Sequence, residues 1–292
     1  MMSRRALPLV DTHFHVFDTG AAASSARYRP SYAAGLQDWH AAIGNLGEQG
    51  ELGDLRDLYG VVVQASFLGT DNTALLAALR TMPGRLRGVA VVDPTVTDPQ
   101  LSALQAAGVR GIRLNLYGDP GWQRIATAPW RALFRRIAAL GWHVELHTHN
   151  GDGGMVLARL DAALADAGVP VVLDHFGRPG TAGISDAVFD AARDVRARRQ
   201  VWVKISAPYR LAAPQHWPIL AQRWREIVGD DRLLWGSDWP WTNHEALVRL
   251  DECRELAAWQ GLPGERESPG AAWSAALRWR NAAALYGFAV AA

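Results

Sequence analysis

The chain's nine histidines are not scattered evenly over its 292 residues. Asp11-Thr12-His13-Phe14-His15 sets two imidazoles two positions apart, a spacing that points both to one side of an extended strand. Glu145-Leu146-His147-Thr148-His149 repeats the spacing, and a fifth imidazole stands in Asp174-His175-Phe176-Gly177-Arg178-Pro179. Gly236-Ser237-Asp238-Trp239-Pro240 contributes a carboxylate. Imidazoles gathered round one aspartate suit either nitrogen-oxygen metal chemistry or proton transfer to and from a water molecule. Arg113 and Arg210 add planar guanidinium forks that match carboxylates. Each residue also has a plainer use. The histidines could be hydrogen-bonded structural pairs, Asp238 could cap a turn, and the two arginines could be ion-paired. His40, His143, His216 and His244 are assigned to structure or solvent.

Those residues follow short apolar, β-branched runs at 9–10, 61–64, 88–92, 111–116, 142–146, 170–173, 201–205 and 233–235. Stretches with helical spacing lie between most of them, at 73–81, 130–140, 154–167 and 184–198. Eight strands alternating with helices predict an α/β fold, a single (β/α)8 TIM barrel. Titratable or hydrogen-bonding groups sit just after nearly every run, where such a barrel gathers its chemistry. An open doubly wound sheet is the structural rival, and the absence of a Gly-rich turn after the first strand counts against it. The surplus length falls in a Gly-, Ala- and aromatic-rich long loop, 17–53, and in a polar turn, 262–270, before a C-terminal helical extension. No repeat or linker divides the chain, so one domain over 1–292 is expected.

Composition narrows the classes. Hydrophobic residues make up 49%, ample for a core, and the formal net charge is +1, too small to recruit nucleic acid or an anionic membrane. Cys253 is the single cysteine, so no intramolecular disulfide forms. No apolar run reaches the roughly 20 residues that span a bilayer, and the N-terminal arginines lead into no signal-like stretch; a cytoplasmic location is expected. Lys204 is the only lysine, which removes lysine chemistry from every other position.

Taken together, Asp11–His15, Leu173–Pro179 and Trp235–Pro240 resemble the amidohydrolase superfamily, and within it the branch of 2-pyrone-4,6-dicarboxylate lactonases. Residues 64–72, 110–115, 141–144 and 208–211 extend the likeness over nearly the whole chain. The resemblance implies a barrel that hydrolyses a cyclic ester. It implies Asp238 as the base that activates water and His13, His15 and His175 as the groups that polarise the lactone carbonyl. It implies Arg113 and Arg210 as holders of substrate carboxylates, with Ser66 and Tyr28 as further contacts. Two positions depart from the branch: Tyr117-Gly118-Asp119-Pro120 lacks its additional basic residue, and His147 replaces a strand-five tyrosine. The first departure points away from a dicarboxylate.

The expected activity is therefore opening of a small anionic lactone by water, with His147 as a further substrate contact. The alternatives are a zinc-dependent decarboxylase using the same residues, or a barrel that only binds an anion. His13, His15, His147 and Asp238 would suit one zinc-like divalent ion, and a metal-free His/Asp cluster is the other reading. The sequence leaves the cofactor open, as it does a homo-oligomer.

Overall fold

The computed structural model describes residues 8–48, 58–165, 167–245, 249–259 and 275–289. Eight strands form one sheet in sequential order: β1 (Leu9–Phe14), β2 (Leu58–Val63), β3 (Leu86–Ala90), β4 (Val109–Asn115), β5 (His143–His147), β6 (Val171–Leu173), β7 (Val201–Ser206) and β8 (Leu233–Gly236). All seven neighbouring pairs are parallel. The barrel closes between β1 and β8, where Asp238 N donates to His13 O (2.8 Å) and His15 N to Trp239 O (2.9 Å). Gly236 permits that approach, because a Cβ there would lie 2.9 Å from His13 Cβ. The strands are short, β-branched and buried on both faces, as parallel barrel strands must be.

Eight helices follow the strands: α1 (Leu36–Glu48), α2 (Thr73–Thr81), α3 (Asp98–Ala107), α4 (Ala128–Ala139), α5 (Gly153–Leu164), α6 (Ala187–Arg196), α7 (Trp217–Val228) and α8 (Leu250–Ala258). Their apolar stripes pack on the outward strand residues. The expected long loop after β1 holds α1, a helix that its Gly- and Ala-rich surroundings hid. Trp39, Ile43 and Leu46 bury its inner face, and Trp39 stacks on Phe14 at 4.1 Å between ring centres. The 184–198 stretch begins its helix late because Asp186 caps it, accepting from Val188 N (2.9 Å). The polar turn at 262–270 lies outside the described residues.

Inside the barrel, alternate strand residues form layers. Val10, Val61, Val172, Trp202 and Leu234 fill the N-terminal end, which α9 (Asn281–Tyr286) and its flanking Trp279 and Phe288 cover. Asn281 Nδ2 fastens that cover to β8 through Leu233 O (2.8 Å). The next layer is charged, and it carries the site.

Candidate active site

Five buried side chains from five strand ends meet at mid-barrel. Lys204 from β7 donates to Glu145 on β5 (2.5 Å) and lies 3.4 Å from Asp174 beyond β6. Arg113 from β4 places Nε and Nη2 on Asp174 Oδ2, each at 2.9 Å. Lys204 Nζ also stands 3.0 Å from His13 Nδ1. Two cations thus face two acidic side chains out of contact with water, so that the charges buried here have partners. Burial pushes the Asp174 carboxyl up, but Arg113 and Lys204 outweigh it and hold the group well below the usual carboxylate range. The Glu145 carboxyl goes the other way, up to about 8, through burial and the neighbouring Asp174.

Above this layer, three imidazoles face Asp238. Its Oδ1 lies 3.6 Å from His13 Nε2, 3.7 Å from His15 Nε2 and 3.8 Å from His175 Nε2. Neither Asp238 Oδ1 nor His13 Nε2 has a hydrogen-bond partner, and both are buried. The other oxygen is fully engaged: Oδ2 accepts from Tyr209 Oη (2.5 Å) and Arg210 Nε (2.5 Å). Burial opposes ionisation of Asp238, yet Arg210 and then the histidines hold its carboxyl well below the ordinary value. Burial likewise lowers His13 to about 4 and His15 to about 3, so both are neutral near pH 7.

The partners of the Nδ1 atoms set the tautomers. An ammonium only donates, so His13 Nδ1 accepts from Lys204 and its proton sits on Nε2, facing Asp238. A carbonyl only accepts, so His15 Nδ1 donates to Val63 O (2.8 Å) and its Nε2 presents a lone pair. His175 Nδ1 meets the Ser206 hydroxyl (2.9 Å), which can serve in either sense. Ligand atoms of His13, His15 and Asp238 lie within 4.8 Å of one another, as do those of His13, Asp174 and His175. By position the first set fits a small divalent cation. His13 Nδ1 faces both Lys204 Nζ (3.0 Å) and Asp174 Oδ1 (3.3 Å); with Lys204 as its partner the ring proton sits on Nε2, the nitrogen that a metal would need. His147 belongs to neither group among the described residues; its Nδ1 meets Asn115 Oδ1 at 3.1 Å and its ring stands 5.4 Å from that of His175.

The loops that aim these groups are strained. His175, Phe176 and Arg178 beyond β6, Ala207 beyond β7, and Asp238, Trp241 and Asn243 beyond β8 all have left-handed backbones. Each such non-glycine residue costs about 1–3 kcal/mol, a cost that concentrates where side chains must point in one direction. Gly177 continues the left-handed run at φ 68°, and a Cβ there would press on the Trp224 ring at 2.9 Å. Trp224 Nε1 holds the turn by donating to Phe176 O (2.7 Å).

A cleft of about 1020 Å3 opens over the cluster. His15, His147, His175, Asp238, Ser66, Tyr28, Arg113 and Arg210 all line it, so the structure gathers these expected residues at one mouth. His13 lies just beneath. Arg113 and Arg210 reach the cleft already ion-paired, the plainer of their two uses. Arg178, Tyr209 and the Lys204–Glu145 pair received no role from the sequence. The basic residue three positions after His175 was the available signal for Arg178. Tyr209 and Lys204 become visible only when strands distant in sequence are brought together. His244, assigned to structure or solvent, lines the cleft and packs against Tyr209 at 5.0 Å.

A parallel barrel with paired histidines on its first strand, a histidine after its sixth and an aspartate after its eighth defines a class, and the comparisons agree with it. Residues 10–288 match the amidohydrolase family, and the chain belongs to that family. It is 33% identical over 253 residues to a 2-pyrone-4,6-dicarboxylate hydrolase of Comamonas testosteroni, covering 80% of this chain and 77% of that one. It is 29% identical over 252 residues to a 4-sulfomuconolactone hydrolase of Rhizobium radiobacter, covering 84% and 80%. The structure of a probable 2-pyrone-4,6-dicarboxylic acid hydrolase of Acinetobacter baumannii, solved with citric acid bound, superposes with a TM-score of 0.80 at 32% identity, over 96% of this chain and 99% of that one.

Proposed function

We propose that this protein hydrolyses a small anionic lactone, with Asp238 as the general base. The observation that carries the proposal is the inequality of the two Asp238 oxygens. Tyr209 and Arg210 hold Oδ2, while Oδ1 is unpartnered and faces three imidazoles at the floor of the cleft. A water seated there gives a proton to Oδ1 as its oxygen bonds to the lactone carbonyl carbon. His15 Nε2, a lone pair, accepts the water's other hydrogen and orients it. His13 Nε2–H donates to the carbonyl oxygen as it gains charge, an effect worth roughly 3–4 kcal/mol for one well-placed donor. When the ring carbon–oxygen bond breaks, the proton on Asp238 passes to the leaving oxygen. Relatives that act on a pyrone dicarboxylate and on a sulfomuconolactone support the lactone and its negative charge.

This assignment uses the histidines as donors and acceptors and requires no metal ligand. It is tested by incubating the protein with pyrone carboxylates, muconolactones and sugar lactones while following ring opening and CO2 release. Ring opening without CO2 is expected. CO2 release with the ring intact would replace lactone hydrolysis by decarboxylation.

A further inference from the structure

Five arginines line the cleft: Arg27, Arg113, Arg124, Arg178 and Arg210. Four are committed to partners within the protein. Arg113 is held by Asp174, Arg210 by Asp238 and Thr242, Arg124 by Asp119, and Arg27 by the carbonyls of Tyr117 and Gly118. Arg178 alone among the described residues of the cleft wall is a guanidinium with no carboxylate and no hydrogen-bond acceptor. Its Nε is buried without a partner, the residue is 6% exposed, and its guanidinium lies over the Tyr117 ring, 5.4 Å from the ring centre. A buried, unpaired cation is unfavourable unless a ligand completes it. The backbone reinforces the demand: Arg178 sits at φ 54°, on the same left-handed turn that aims His175 at Asp238.

From this we infer that Arg178 is the receptor for the substrate's anionic group, and that the site takes a lactone bearing a single carboxylate close to the reacting carbonyl. Its guanidinium fork faces the carboxylate, and the three-residue separation from His175 keeps that group beside the histidine cluster. A second carboxylate would meet only guanidiniums already engaged within the protein: Arg113 with Asp174, Arg210 with Asp238, Arg124 with Asp119 and Arg27 with two carbonyls. The relative named for a dicarboxylate is thus expected to differ from this chain in substrate. The inference rests on the lactone reading for its reaction, but binding of the anion can be measured apart from turnover.

The test uses two aromatic acids with no ring ester, benzoate with one carboxylate and isophthalate with two, titrated calorimetrically into the wild type, Arg178→Met and Arg178→Lys. Benzoate is expected to bind the wild type at least ~10-fold more tightly than isophthalate, and Arg178→Met to weaken benzoate by at least ~10-fold, in the range for removing one partner of a buried charge pair. Arg178→Lys, which keeps the charge without the fork, should recover part of that loss. The melting temperature of free Arg178→Met should match or exceed that of the wild type, because the substitution removes an uncompensated buried charge. Tighter binding of isophthalate, no binding of benzoate at millimolar concentration, an Arg178→Met affinity equal to wild type, or a markedly lowered melting temperature in that variant would each overturn the inference. Arg178-dependent benzoate binding in a protein that opens no lactone would instead leave the anion site standing and remove the lactonase reading.

Discussion

Only one oxygen of Asp238, Oδ1, lacks a hydrogen-bond partner. Tyr209 and Arg210 hold Oδ2 in place, so a substitution that preserves shape and removes basicity isolates the chemistry from the fold. Tyr209→Phe deletes one donor to that oxygen while Arg210 remains. It should lower kcat by about 10- to 100-fold with little change in KM, the consequence of losing one hydrogen bond to an ionised carboxylate, worth roughly 1.5–3 kcal/mol; an unchanged kcat in steady-state assays would deny Tyr209 a positioning role. Arg113 invites the opposite prediction. Its Nε and Nη2 are both spent on Asp174, so Arg113→Met should destabilise the fold by roughly 3–5 kcal/mol in urea denaturation, leaving a buried carboxylate with Lys204 alone at 3.4 Å. A fully stable Arg113→Met with a raised KM would make Arg113 a substrate contact instead.

At the scale of elements, the site depends on pairings across strands that lie far apart in the chain. The eight strands were legible because a parallel barrel strand, buried on both faces, reads as a short β-branched run, and the polar residue after each run marks the mouth. His13, His15, His175 and Asp238 could be found that way. Helix α1 could not, since its glycines and alanines mask three apolar contacts, and the Lys204–Glu145–Asp174 layer could not, since it joins β5, β6 and β7 through side chains 30 to 59 positions apart. Lys204 links that layer to the His13 imidazole through Nδ1. Without the lysine, His13 Nδ1 can donate to Asp174 Oδ1 at 3.3 Å, which moves the imidazole proton off Nε2. Lys204→Met should therefore lose stability by several kcal/mol, as expected for a broken buried pair, and bind zinc more tightly than the wild type in calorimetric titration. Equal zinc affinity in the two proteins would contradict the tautomer assignment. The β6 turn is equally demanding: Gly177→Ala meets both a left-handed backbone and Trp224, and should cost about 2–4 kcal/mol in the same denaturation assay.

The molecule as a whole carries almost no net charge, and no helix among the described residues is long and apolar enough to cross a membrane. Its charges are spent internally, which ties stability to pH. His13, His15 and His143 are depressed by burial from 6.5 to about 4, 3 and 3. In the unfolded chain they take up protons near pH 6.5, whereas the native protein resists until about pH 4 or below. Each therefore contributes stability that is present above pH 6.5 and is lost, at roughly 1.4 kcal/mol per pH unit, as the pH falls. Asp11 runs the other way. Burial raises it from 3.8 to about 6 despite hydrogen bonds from Ser237 and Trp39, so it offsets one histidine between those values. Glu145, raised to about 8, offsets a second, while His147 and His175, also depressed by burial, act with the other three. Net stability should fall by roughly 4 kcal/mol per unit between pH 6 and pH 4.5 in urea titrations; a flat profile would mean that the imidazoles are charged in the native state. Over pH 6–8 the same neutral imidazoles and ionised Asp238 should keep kcat nearly constant. The most direct test of the central claim is kcat for ring opening of the best lactone substrate by Asp238→Asn against the wild type, with folding checked by circular dichroism. A general base predicts a loss of at least ~100-fold in a folded variant, and turnover within a few-fold of wild type would contradict the account.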